Sequence, residues 1–129
     1  MSKQAIETTN APGAVGPYSQ AIKVGNFLFL SGQIGLDPTA NRMVDGGVEA
    51  QAKQIFKNID AVLKESGATL QNVVKATLFL KNMADFKKVN EIYAQHFEPP
   101  FPARSAVAVK ELPLSADIEI EVIARLEEV

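Results

Sequence analysis

Residues 27–31, Phe-Leu-Phe-Leu-Ser, carry the pattern of a β-strand with no solvent face. Side chains alternate along a strand, so Phe27 and Phe29 point one way and Leu28 and Leu30 the other. Residues 103–109 repeat the situation with smaller side chains: Ala103, Ser105, Val107 and Val109 oppose Arg104, Ala106 and Ala108. A sheet built from such strands must be covered on both sides, because large exposed apolar patches are normally buried against something.

Two helical patterns are available as cover. Between 48 and 66 the apolar residues fall at 48, 52, 55, 56, 59, 62 and 63, which is helical spacing. Lys53, Lys57 and Lys64 lie off that stripe, and Glu49 and Asp60 each precede a lysine by one turn. Gly67 is the expected C-terminal stop. Asn82, with Asp85 three residues on, predicts the cap of a second helix. Met83, Phe86, Val89, Ile92, Tyr93 and Phe97 supply its apolar side, and Pro99-Pro100 ends it.

The remaining segments are strands and turns. Residues 18–24 and 27–31 form a hairpin around Gly25-Asn26. The stretch 35–47 is rich in Gly, Pro, Asn and Asp and reads as a loop. In 73–80, Val74, Ala76, Leu78 and Leu80 alternate with Lys75, Thr77 and Phe79. In 117–126, Ile118, Ile120, Val122, Ala124 and Leu126 alternate with Glu119, Glu121, Ile123 and Arg125. The order β-β-α-β-α-β-β predicts an α/β (α+β) layer, a single domain over 1–129, with both helices on one face of the sheet. The other face is left uncovered, and in a chain of 129 residues the expected cover is another copy of itself.

Composition narrows the chemistry. With no cysteine and one histidine, His96, the chain has no thiol nucleophile, no disulfide and no Cys- or His-rich metal site. Only a carboxylate metal site stays open, and no cofactor motif is present. Thirteen Lys and Arg against 15 Asp and Glu give a formal charge of −2, without the basic stripe of a nucleic-acid binder. No apolar run reaches signal-peptide or membrane length, so the expectation is a cytoplasmic protein with no membrane partner.

Few residues stand out as chemical groups. If Val24 pairs with Phe27, Gln20 faces Ser31, and Tyr18 shares the Ser31 face with Cβ atoms about 7–8 Å apart. Gly32 follows, where a ligand can approach the backbone. Tyr18 and Ser31 are either a polar pair facing a ligand or side chains bonded to nearby backbone. Arg104, in a small apolar strand, needs an anion: a structural partner such as Glu119 or Glu121, or the carboxylate of a substrate. Ala106 and Ala108 leave room beside it for the latter. Glu119, on the face assigned to an interface, is placed to hold and activate water, with Glu121 pointing the same way. Asn90 either orients a ligand or caps a loop. His96, near a helix end, is assigned a structural role.

The chain resembles the RidA, or YjgF-type, family nearly end to end. The resemblance rests on Ala11-Pro12 followed by Gly16-Pro17-Tyr18-Ser19-Gln20-Ala21, and on Ser31-Gly32-Gln33-Ile34. It continues through Asp85-Phe86 to Val89-Asn90, Phe101-Pro102-Ala103-Arg104-Ser105 and Ile118-Glu119-Ile120-Glu121. It implies a chorismate-mutase-like fold and a homotrimer, with three sheets forming a central barrel and clefts between subunits. It also implies that 117–126 inserts between 27–31 and 73–80.

By the same resemblance the chain is a metabolite-damage-control hydrolase needing neither metal nor cofactor. It would deaminate 2-iminobutanoate and 2-iminopropanoate to keto acids. Arg104 then holds the substrate carboxylate, Glu119 binds the attacking water, and Tyr18, Ser31, Gly32 and Asn90 line the cleft. Ala106 occupies a position where many relatives carry cysteine, which favours direct water attack. Two other classes are a non-catalytic keto-acid-binding regulator of the same fold and an RNA-cleaving activity. The acidic balance and the lack of a basic, aromatic patch speak against the latter.

Overall fold

Alternating hydrophobicity selects one face of each strand for the core, and the helices cover that face. A computed structural model describes residues 2–127. The elements are β1 (Gln4–Ile6), β2 (Ala21–Val24), β3 (Phe27–Leu30), β4 (Leu36–Asp37), β5 (Arg42–Met43), α1 (Gly47–Glu65), β6 (Val73–Leu80), α2 (Phe86–Ala94), β7 (Ala103–Ala108) and β8 (Ile118–Arg125). The main sheet runs β1-β2-β3-β8-β6-β7, and β4 and β5 form a small separate hairpin. β6 and β7 are parallel, as a pair joined through a helix must be when the chain returns in the same direction; the other neighbours are antiparallel. The architecture is a mixed α+β fold with β8 inserted between β3 and β6, as the resemblance implies.

The core lies between this sheet and the two helices. Leu28, Leu30, Ala76, Leu78, Leu80, Ile118, Ile120, Val122 and Ala124 are buried on one face. α1 lays Ala52, Ile55, Phe56, Ile59, Val62 and Leu63 against it, and α2 adds Val89, Ile92 and Tyr93. A one-residue slip of β8 would exchange its four inward aliphatic side chains for Glu119, Glu121, Ile123 and Arg125. Each fully buried aliphatic chain contributes about 1.5–3 kcal/mol, so this register is strongly specified.

α1 ends where expected. Gly67 adopts φ +78°. Its N–H donates to the Lys64 carbonyl at 3.0 Å, and the Ala68 N–H donates to the Leu63 carbonyl at 2.9 Å. Asp60 and Lys64 pair at 2.9 Å, whereas Glu49 reaches across to Lys88 of α2 at 3.9 Å.

Four local expectations are corrected. The strand expected over 18–24 begins at Ala21, because Gln20 turns its amide back to the preceding loop. Its Oε1 accepts from the Thr8 N–H at 2.7 Å, and its Nε2 donates to the Pro12 carbonyl at 2.8 Å. In β6 the pairing register shifts between Val73 and Lys75, so Val73 faces the core in place of Val74. The stretch 35–47 is not all loop, since β4 and β5 pair within it around an Asp37 turn whose carboxylate accepts from the Thr39 N–H. Asn82 caps as expected, accepting from the Ala84 N–H at 3.0 Å, but it caps a single 3₁₀ turn, Met83–Asp85. That turn leads into α2 and leaves Met83 exposed.

The second sheet face is uncovered in the single chain. Phe27 and Phe29 are 42% and 46% exposed, Val24 is exposed beside Phe27, and Val107 is exposed on the far edge strand. β7 is an edge strand, and five of its six residues are exposed although the strand is made mostly of small and apolar side chains.

Candidate active site

The side chains singled out in the sequence fall into two groups that the single chain does not bring together. The first surrounds a cavity of about 730 Å³ lined by Tyr18, Ser31, Gly32, Glu119 and Glu121 on its polar side. Pro12, Ile34, Leu36, Pro113 and Leu114 supply apolar walls. A cavity of this size is ample for a small organic acid.

β3 and β8 position the polar group. The chain past β3 stays paired with β8: the Gln33 N–H donates to the Ile120 carbonyl at 2.9 Å and the Ile120 N–H returns a bond at 3.0 Å. This brings Gly32 against Glu119. A Cβ on Gly32 would overlap the Glu119 carboxylate and stand 2.9 Å from its Cδ. Glycine here lets the Glu119 carboxylate lie against the backbone; a larger residue would push that side chain out of its present position. The Ser31 hydroxyl donates to the Ser19 carbonyl at 2.6 Å, and the Tyr18 hydroxyl accepts from the Val15 N–H at 3.3 Å. Each side chain thus bonds to nearby backbone, and each also lines the cavity.

Glu119 is half-buried on the open face of β8. Burial raises its carboxyl above the usual carboxylate range, and the neighbouring Glu121 adds to the shift. A carboxylate so raised is a better proton acceptor than a solvated one. At the rim, Leu114 and Ser115 hold φ of 54° and 57°, conformations that bulky L residues rarely adopt and that persist only where the surroundings dictate them.

The second group is on the other side of the sheet. Arg104 and Ala106 pair with Ala76 and Leu78 and so share the helix-facing side, whereas Glu119 pairs with Phe79 on the open face. The Arg104 Nη1 donates to Asn90 Oδ1 at 2.7 Å, and its guanidinium lies over the rings of Tyr93 and Phe86 at 4.7 and 5.3 Å from their centroids. The side chain is exposed rather than buried. A structural ion pair of Arg104 with Glu119 or Glu121 in one chain is excluded, because the sheet stands between them. Ala106 is half-buried two residues further along the same face.

Phe86 and Tyr93 belong to this group and were read from the sequence only as core. Their signal was the spacing of Phe86, Asn90 and Tyr93, i, i+4 and i+7 on one helix stripe. Burial raises the Tyr93 phenol above its ordinary value, partly offset by the positive charge of Arg104. His96 is structural as expected: it stacks on Phe56 at 4.2 Å between centroids, and its Nδ1 lies 2.9 Å from the Ile92 carbonyl oxygen. Among the described residues no group of three or more His, Asp or Glu side chains is gathered to hold a metal, and no helix is long and apolar enough to cross a membrane.

The family described as Endoribonuclease L-PSP matches residues 8–126. The Arabidopsis thaliana protein named Reactive Intermediate Deaminase A, chloroplastic, is 52% identical over 126 residues, covering 98% of this chain and 67% of the relative. The Homo sapiens protein named 2-iminobutanoate/2-iminopropanoate deaminase is 49% identical over 122 residues, covering 95% and 89%. Among solved structures, E. coli TdcF with bound serine superposes with a TM-score of 0.90 at 36% identity, covering 96% of this chain and 99% of that one.

Proposed function

This chain belongs to the YjgF/RidA family, described as Endoribonuclease L-PSP, and on that premise we propose that it hydrolyses 2-imino acids to 2-keto acids and ammonia. Relatives at about half identity over nearly the whole chain are named as deaminases of this kind. The observation that carries the reading is the raised, half-buried Glu119 carboxylate held against Gly32 in a cavity of substrate size. A relative of the same fold is described with bound serine, which shares the amino-acid carboxylate that Arg104 would grip.

The chemistry needs both groups of side chains, so the working cleft forms between copies of the chain. One copy supplies Arg104 on the β7 edge, and its neighbour supplies Tyr18, Ser31, Gly32 and Glu119. Support comes from the placement of these groups on opposite faces of one sheet and from the uncovered apolar face. The resemblance points to three copies. Sedimentation equilibrium is expected to return three times the 13.9 kDa chain mass, and a stable monomer would remove the shared cleft.

In that cleft Arg104 binds the substrate carboxylate through two parallel N–H bonds. A water held by Glu119 attacks the carbon of the protonated imine and gives one proton to the carboxylate. The carbinolamine so formed collapses: the nitrogen takes up a proton and leaves as ammonia while the hydroxyl becomes the keto oxygen. One water is consumed and no electrons are transferred, so no redox partner takes part. Tyr18 and Ser31 line the cavity where the imine nitrogen and the new oxygen lie.

The test is to release an imino acid in situ from an amino acid with an eliminating enzyme and to follow its decay with and without this protein. Faster keto-acid formation, unchanged by exhaustive chelation, is expected. Tight keto-acid binding without acceleration would instead establish a ligand-binding regulator. An activity restored only by a divalent ion would overturn direct water attack.

A further inference from the structure

One stripe of α2 converges on a single guanidinium. Phe86, Asn90 and Tyr93 stand one turn apart in succession, and all three touch Arg104. Tyr93 is held from behind, with its ring 4.5 Å from Phe97 and 6.2 Å from Phe56 between centroids. It cannot move from beneath the arginine without disturbing the core. Phe86 is only half-buried and closes over the guanidinium from the outer end of the helix.

We propose that this stripe is a positioning clamp, in which the Tyr93 and Phe86 rings hold the Arg104 fork in its binding geometry before substrate arrives. The inference rests on the reading of Arg104 as the carboxylate-binding group. An exposed arginine on an edge strand would otherwise sample many rotamers, and each binding event would have to order it. Aromatic faces suit the task because they attract the cation without taking up its N–H donors. Asn90 accepts from Nη1 and so helps to hold the Arg104 fork. The Tyr93 hydroxyl is buried with no hydrogen-bond partner among the described residues, so the ring is the part that the clamp uses.

The variants Tyr93→Phe, Tyr93→Leu and Phe86→Leu test this in the assembled protein, read by imino-acid hydrolysis and by the NMR signal of the Arg104 Nε–H. Tyr93→Phe keeps the ring and is expected to retain KM. The two leucine variants are expected to raise KM about 2- to 30-fold, the range of a lost cation–π contact. Their kcat should change far less, the pattern of lost uniform binding, and the Arg104 signal should become averaged. A purely structural role would lower the melting temperature and the active fraction while leaving KM and the arginine signal alone, and that result overturns the clamp. If Tyr93→Leu does not fold, Phe86→Leu carries the decision from its half-buried site. The parent reading fails separately: Arg104→Ala with undiminished turnover would remove it, whereas an inactive Arg104→Ala beside normal leucine variants overturns the clamp alone.

Discussion

Arg104→Ala is expected to lower kcat/KM by about 10²–10⁴-fold, the loss of two hydrogen bonds to a charged group at about 1.5–3 kcal/mol each. Pyruvate binding, followed by calorimetry, should vanish with it. The variant should stay folded and assembled. Arg104 is exposed, bonds to Asn90 and lies over two rings, and no carboxylate among the described residues pairs with it. Its removal therefore strands no acid among the described residues, and the change in melting temperature is expected to be small. Arg104→Lys retains the charge but not the planar fork, so it should recover only part of the lost affinity. A large loss of stability in the alanine variant, with pyruvate still bound by the folded fraction, would return Arg104 to a structural role.

Glu119→Gln should reduce kcat by about 10²–10⁴-fold, the usual contribution of a positioned general base, while pyruvate binding changes little. Glutamine fills the same space against Gly32 and still accepts a hydrogen bond, but it cannot take the proton of the attacking water. The wild-type rate should fall on the acid side as Glu119 protonates, at a pH above the ordinary carboxylate range because burial and Glu121 raise its pKa. That limb should disappear in the variant. The stability effect has the opposite sense. A carboxyl whose folded pKa exceeds its unfolded value binds its proton more tightly when folded, so ionising it at neutral pH disfavours the fold. Glu119→Gln should thus melt no lower than wild type at pH 7. Intact turnover would move the base to another group, Glu121 being the neighbour in the same cavity.

Much of the fold was legible because it depends on periodicity. α1 needed only its apolar stripe and Gly67, and β8 only its alternation, so both appear within a residue or two of their expected bounds. β1 and the β4–β5 hairpin went unread because strands of two or three residues carry no pattern to detect. The register shift in β6 reversed Val73 and Val74, and two adjacent valines give no sign of which faces inward.

The candidate residues were legible one by one, from chemical type and family pattern. Their arrangement was not. Nothing in the spacing of Arg104 and Glu119 tells that one strand lies at the sheet edge and the other inside it.

The sequence by itself determined the two helices and the longer strands, the absence of thiol chemistry, the uncovered apolar face and the identity of the polar groups. These follow from local alternation and from residue type, which each segment carries with it. Tertiary structure alone decided that Glu119 lies against Gly32, that Asn90 bonds to Arg104, and that Arg104 and Glu119 occupy opposite sides of one sheet. Those facts depend on strand order and register, which arise from contacts between segments far apart in the chain. A periodic pattern can name the buried face of a strand, but only its neighbours in the sheet settle what that face meets.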